Sequence, residues 1–225
     1  MHRRVGKGLA RIAVTDRADD DWATPNSLDK SHITLLRQVH GTELVRVSKP
    51  GDHVGACADG AWTTMRGATL AVRTADCVPI ALYGTRSDHS AAVAAVHAGW
   101  RGLLAGVIDC ASNEFRKHGF TSLRAVVGPH ICAQHYEFGE DDLSAVVSEF
   151  GAQVCSRTAW GTRSLDLSAT VRTALGRCGV AIDTELARCT ATDMRYFSHR
   201  ARAEQGRTAL LVSIESTEPA AESLR

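Results

Sequence analysis

The segment from residue 91 to residue 119 constrains the fold more than any other. Ala91–Val96 is an unbroken apolar run of strand length, and it stops at His97-Ala98-Gly99-Trp100-Arg101-Gly102. Beyond that turn, Leu103, Leu104, Val107, Ile108, Ala111 and Phe115 recur at helical spacing on one face, and Gly119 stands where a C-cap belongs. A strand that turns through glycines straight into an amphipathic helix must lay that helix back on its own sheet, which is the α/β pattern.

The flanking sequence repeats these signals. Thr69–Arg73, Val78–Tyr83 and Leu123–Val127 predict strands, with Pro79 favouring a strand start or edge. Leu143, Val146, Val147 and Phe150 predict a helix over residues 141–150, and Asp166 is a good N-cap for another that carries Leu167, Val171, Ala174, Leu175 and Cys178 to Gly179. Nearer the N-terminus, a short strand at Arg11–Val14 gives way to a polar loop broken by Asp19-Asp20-Asp21 and Thr24-Pro25-Asn26. Thr34–Val39 and Glu43–Val47 read as extended runs about His40-Gly41, which puts His40 at a hairpin tip or bend. A loop, Arg195–Arg207, leads to a strand at Thr208–Ile214 and a frayed tail, Glu215–Arg225. With 225 residues and no repeat or linker, the expectation is one domain over residues 1–225 with a mixed sheet covered by helices.

A chain of this size buries roughly 70% of the surface its unfolded form exposes, so a metal is not needed merely to fold it and would serve a function. The formal net charge is +1, with 26 basic residues scattered among 25 acidic ones, which argues against a nucleic-acid or membrane partner. No apolar stretch reaches the roughly 18 residues of a membrane helix, and Met-His-Arg-Arg-Val-Gly-Lys-Gly lacks the apolar core of a signal peptide, so a cytoplasmic location is expected. The seven cysteines (57, 77, 110, 132, 155, 178 and 189) are odd in number and form no CxxC pair, which reads as reduced thiols acting mostly as small buried hydrophobes.

Three segments each end a β-prone run with a possible metal ligand beside small neighbours: Gln38-Val39-His40-Gly41, Thr74-Ala75-Asp76-Cys77 and Val96-His97-Ala98-Gly99. Two imidazoles and a thiolate are good zinc ligands, and three protein ligands leave an open tetrahedral position, the arrangement of catalytic rather than structural zinc. On spacing alone His40 reads equally as an exposed turn residue, Cys77 as a buried thiol and His97 as a histidine hydrogen-bonded at a helix start.

The runs Arg37-Gln38-Val39-His40-Gly41-Thr42, Thr74-Ala75-Asp76-Cys77-Val78-Pro79-Ile80 and Val96-His97-Ala98-Gly99-Trp100-Arg101-Gly102 resemble the signature motifs of one family. It was long called multicopper polyphenol oxidase or laccase-domain and is now described as a purine nucleoside phosphorylase family. Ala58-Asp59-Gly60, Gly128-Pro129-His130-Ile131, Tyr136-Glu137-Phe138-Gly139, Asp166-Leu167, Cys189-Thr190 and Phe197-Ser198-His199-Arg200 follow in the family's order, over residues 11–214. The resemblance implies a pair of stacked mixed sheets flanked by helices (α/β/β/α layers). It also implies zinc on His40, Cys77 and His97, with copper as a possible substitute. The implied activities are phosphorolysis of adenosine, inosine and methylthioadenosine, with purine nucleosides and inorganic phosphate as partners, and adenosine deamination. One departure is N-terminal: where the family has Arg-x-Gly-Gly-Val-Ser and a longer following stretch, this chain has Asp16-Arg17-Ala18-Asp19-Asp20, which keeps Arg17 and loses the glycines.

Further residues are candidates for roles at such a site. Asp76, beside Cys77, could move protons in deamination or orient a ligand. Arg101, at the predicted helix start, and Arg73 could bind phosphate, although Arg101 beside Trp100 could equally stack. His199 and Arg200 could reach substrate. A different chemistry treats Cys77 as a nucleophile with His97 as its base, acting on an amide as in peptidoglycan-precursor editing, and a metal-loaded non-catalytic interaction module is a further alternative. Laccase chemistry is disfavoured because the chain has no His-x-His pair.

Overall fold

The computed structural model describes residues 1–19, 22 and 32–216. The polar loop around Asp20-Asp21 and Thr24-Pro25-Asn26 and the tail beyond residue 216 lie outside the described residues. In chain order the first strands are β1 (His2–Val5), β2 (Gly8–Val14), β3 (Ile33–Leu35), β4 (Leu44–Arg46), β5 (Gly60–Thr63), β6 (Thr69–Thr74), β7 (Val78–Thr85) and β8 (Ala91–Ala98). Then come α1 (Trp100–Leu104), α2 (Val107–Lys117), β9 (Thr121–Val127), α3 (Glu140–Phe150), β10 (Cys155–Arg157) and β11 (Arg163–Leu165). The remainder is α4 (Leu167–Arg177), β12 (Ala181–Glu185), α5 (His199–Arg202) and β13 (Thr208–Ser216). No helix among the described residues is long and apolar enough to cross a membrane.

The strands form two mixed sheets and a small hairpin. The first sheet runs β1-β2-β13-β6-β3 and the second β12-β9-β7-β8-β5-β4, while β10 and β11 pair by themselves. Within the first, β3 is parallel to β6; within the second, β12 is parallel to β9 and β4 to β5.

Side-chain alternation along the central strands fixes the layers. Ile80 and Leu82 of β7, with Ala94 and Val96 of β8, face Leu103, Val107, Phe115, Leu143 and Val171 of the helices. Their neighbours Ala81, Tyr83, Val93 and Ala95 face Ile12, Leu70, Val72, Leu210 and Val212 of the first sheet. A strand buried on both faces reads as a continuous apolar run, which is why Ala91–Val96 stood out in the sequence. The order of layers is helices, second sheet, first sheet, and the far face of the first sheet carries a smaller cluster of Trp22, Ile33, Leu35, Ala71 and Ala209. The α/β class and the stacked mixed sheets are as expected.

Some local expectations are corrected. The runs flanking His40 do not form a hairpin, because β3 belongs to the first sheet and β4 to the second, and His40 sits at the bend where the chain crosses between them. The expected helix after residue 102 is two helices, since Gly106 adopts φ of 90° and interrupts the hydrogen-bonding pattern between α1 and α2. His97 lies inside β8 rather than after it.

One polar cluster ties the edges of both sheets. Asp183 of β12 accepts hydrogen bonds from the Tyr83 hydroxyl and Arg124 and pairs with Arg3 of β1 at 2.7 Å. The Tyr83 hydrogen bond, with that of Arg124, holds the Asp183 carboxyl below the usual range, while burial and Asp183 push the Tyr83 phenol up to about 12. A depressed carboxylate stabilises the fold fully above its unfolded pKa of about 3.9, and the contribution is lost as pH falls through the lower folded value. Asp183→Asn should therefore lower stability at pH 7 by about 1–2 kcal/mol, the size of charge-assisted hydrogen bonds that are partly solvent-screened. Urea unfolding should show the gap to wild type closing in acid; a gap independent of pH would refute this role.

Candidate metal centre and its cleft

The centre is organised by Asp59, just before β5 and fully buried. Its Oδ1 accepts the His40 amide at 2.9 Å and faces His97 Nδ1 at 2.8 Å. Its Oδ2 accepts the amides of Val39 at 3.1 Å and Gly41 at 2.7 Å. These bonds pin the bend in which His40 itself takes φ of 60°. Burial opposes the charge on Asp59, yet its His97 and backbone donors outweigh burial and hold the carboxyl below its usual range.

His40, Asp59 and His97 bring ligand atoms within 4.8 Å of one another, but both Asp59 oxygens are already engaged. Asp59 is therefore an orienting residue: it accepts a hydrogen bond from Nδ1–H of His97 and leaves Nε2 available.

Cys77 is a further candidate donor beside the two imidazoles. A Cβ built on Gly99 would lie 3.2 Å from Cys77 Sγ, 3.6 Å from His40 Nδ1 and 3.6 Å from His97 Cε1. The two imidazole rings are 4.9 Å apart, centroid to centroid. All three side chains converge on the space that the missing side chain of Gly99 leaves. Two imidazoles and a thiolate with room beside them fit an open zinc site. Burial and the neighbouring His97 lower the His40 pKa. For His97, burial works against the charged ring, but the hydrogen bonds to Asp59 and Cys77 raise it to about 9, so metal binding there is coupled to proton release.

Asp76 is buried with φ of 94° and turns away from the three donors. Its Oδ1 accepts the hydroxyls of Thr190 and Ser198, each at 2.6 Å, and its Oδ2 accepts the Arg200 amide at 2.6 Å. The carboxylate thus fastens the loop before β13 to the start of β7. Arg17 braces the same loop from the N-terminal side: it bonds Glu204 and the Met194 carbonyl and lies 4.3 Å over the Phe197 ring.

The donors open onto a cleft of about 570 Å³, whose lining among the described residues includes Arg37, Arg73, Arg200 and Arg207 and one carboxylate, Asp76. Arg73 is fixed by the carbonyls of Trp22 and Leu36, and Arg200 lies 4.6 Å over the ring of Tyr136. His199 also lines the cleft. Arg101 does not: its guanidinium stacks 4.2 Å above Trp100, although its charge still reaches His40. Sequence reasoning gave no role to Asp59, Arg37, Arg207 or Tyr136. All four lay within matched motifs, Asp59 in Ala58-Asp59-Gly60, Arg37 in the run to Thr42, Tyr136 in the run to Gly139 and Arg207 in Gly206-Arg207, but no periodicity marks the loops that bring the two arginines and the tyrosine to the cleft.

Gly99 has φ of −77° and ψ of 160°, which alanine adopts without strain. If these side chains hold a metal, Gly99→Ala should fold normally while losing most metal-binding capacity, because the new methyl fills the space between the candidate donors. Elemental analysis beside circular dichroism checks this, and full zinc occupancy in the variant would remove the centre from where we put it.

The family model described as multi-copper polyphenol oxidoreductase laccase matches residues 15–215. A purine nucleoside phosphorylase of Streptomyces coelicolor is 36% identical over 185 residues, 81% of this chain and 75% of its own. One from Mycobacterium tuberculosis is 34% identical over 217 residues, 94% and 82%. Among solved structures, the hypothetical protein YfiH of Bacillus licheniformis shares the fold, with a TM-score of 0.76 over 94% of this chain and 98% of its own at 19% identity. A Neisseria meningitidis protein gives a TM-score of 0.70 over 82% and 75% at 30% identity. With its motifs, fold and nearly whole length matched, the chain is a member of the family described as multi-copper polyphenol oxidoreductase laccase.

Proposed function

We propose that this chain cleaves purine nucleosides with inorganic phosphate, holding one zinc ion on His40, Cys77 and His97. One observation carries the reading: a donor set open on one side shares a cleft with, among the described residues, four guanidiniums and one carboxylate. A cleft of about 570 Å³ suits a nucleoside, and its charge suits a dianion. Relatives named purine nucleoside phosphorylase agree with this. A metal held by His40, Cys77 and His97 would supply Lewis-acid chemistry.

The protein's own groups divide the rest of the work. Arg73 and Arg200, with Arg37 and Arg207 beside them, bind and orient phosphate. A phosphate oxygen forms the new bond to C1′ of the ribose as the bond to the base nitrogen breaks, and the electron pair of that bond leaves with the purine, which takes up a proton. Tyr136, whose phenol burial keeps protonated, and His199 line the cleft as donors toward the leaving base. Asp76 acts through its three hydrogen bonds by positioning the loop that carries His199 and Arg200. Adenosine deamination, in which water oxygen bonds to C6 and the amino group leaves as ammonia, is a second activity that we propose for this cleft. Arg101 tunes His40 by its charge, and the phosphate role weighed for it passes to the arginines of the cleft.

A second reading has its own observation: Cys77 and His97 flank the same space beside Gly99, and His97 in turn bonds Asp59, the order of a thiol nucleophile, its base and an orienting acid. That arrangement would serve hydrolysis of an amide. The two readings separate on alkylation, since a zinc-bound Cys77 resists iodoacetamide until chelator is added and a nucleophile reacts at once.

Incubation of adenosine with phosphate should yield adenine and ribose 1-phosphate, and omission of phosphate should suppress both. Arg73→Ala should raise the phosphate KM roughly ten- to hundredfold, the equivalent of one lost charge-assisted hydrogen bond, whereas Arg101→Ala should move it far less. Phosphate-independent formation of free adenine, or a larger effect at Arg101, would overturn the assignment.

A further inference from the structure

A second cluster of soft donors lies apart from this centre. Cys132 and His135 bracket a single helical turn, Ala133–His135, after β9, and Cys189 comes from the loop after β12. Cys132 Sγ is 3.3 Å and Cys189 Sγ 4.0 Å from the same atom, His135 Nδ1. The three ligand atoms all lie within 4.8 Å of one another. Tetrahedral zinc, with Zn–S of about 2.3 Å and Zn–N of about 2.0 Å, holds its sulfur and nitrogen donors about 3.5 Å apart, and the two observed separations bracket that value.

The surroundings support a thiolate site. The Cys132 amide donates to Cys189 Sγ at 3.1 Å, the kind of bond that steadies a sulfur carrying negative charge. The two segments are pinned together by the bridge between His130 and Cys189, with the Thr190 amide on the His130 carbonyl at 3.1 Å. His135 also borders a shallow depression with Glu137 and Trp160, so one side of the cluster is open to solvent. Burial, with the neighbouring Cys189, pushes the Cys132 thiol up; a cation between the sulfurs reverses that tendency.

We propose that Cys132, His135 and Cys189 bind a second zinc ion, with a structural role in fixing the loop that follows Cys189. Two thiolates and an imidazole select a soft or borderline cation over magnesium or calcium. The next residue, Thr190, bonds Asp76 at 2.6 Å, so a filled site stiffens the chain that carries Ser198 and Arg200 into the cleft.

The test is zinc content in protein prepared without chelator or oxidant. Cys132→Ser combined with Cys189→Ser should lose one equivalent relative to wild type while Cys77→Ala loses a different one, and joining all three substitutions should remove both. A wild-type measurement stands beside this in case the double variant folds poorly. Under iodoacetamide, Cys110 and Cys155, which are exposed, should react at once, and Cys132 and Cys189 only after chelator. In the Cys77→Ala protein, cobalt in place of zinc should still give a thiolate charge-transfer band, which distinguishes this site from the first. Unchanged zinc in the double variant, prompt alkylation of Cys132 and Cys189, or a disulfide between them in the purified protein would overturn the proposal.

Discussion

A single buried carboxylate holds the centre together. Asp59 faces four donors, the amides of Val39, His40 and Gly41 and the ring of His97, and both of its oxygens are used. A bare carboxylate in this interior would cost several kcal/mol, and these contacts are what let it stay charged. In return it fixes two things at once: the bend by which the chain crosses from the first sheet to the second, and the tautomer of a histidine at the end of β8. The fold and the donor geometry thus share one point of failure.

Asp76 performs a parallel task from the opposite wall. Its oxygens collect Thr190, Ser198 and the Arg200 amide, so the loop before β13 is held against the residue that precedes Cys77. One carboxylate therefore positions two imidazoles, and the other positions the arginine-bearing wall. The glycines of the intervening turn allow the close approach: a Cβ on Gly102 would lie 3.0 Å from the Gly41 carbonyl. The start of α1 is thereby packed directly on the His40 bend.

Much of this was legible in the sequence. The central strands β7 and β8 showed as apolar runs because both faces are buried, and α3 and α4 showed through their spacing and the N-cap at Asp166, whose side chain accepts the Ala169 amide at 2.9 Å. His40, Cys77 and His97 stood out because each ends a β-prone run among small neighbours, and the structure brings them together around Gly99. What was not legible depends on contacts between distant segments. The short strands β1, β5 and β12 have no strong pattern of their own and exist by pairing with neighbours. The crossover at His40 read as a hairpin tip or a bend, and the structure has the bend; local propensity cannot say which sheet receives a strand. Asp76 looked catalytic from its place beside Cys77, yet its carboxylate is committed to residues more than 110 positions away.

The place of β13 has a consequence for how the molecule is assembled. It lies in the interior of the first sheet, between β2 and β6, with Leu210 opposite both Val14 and Val72. Until those late residues arrive, β2 and β6 each present an unpaired edge to solvent. Closing so wide a separation in sequence is slow compared with forming the neighbouring pairs β7 with β8 and β7 with β9. The second sheet and its helices can therefore gather first, with His40, Cys77 and His97 all already synthesised, while the first sheet and the arginine-bearing wall close last. During that interval the exposed edges of β2 and β6 are where a nascent chain is most open to pairing with another copy of itself.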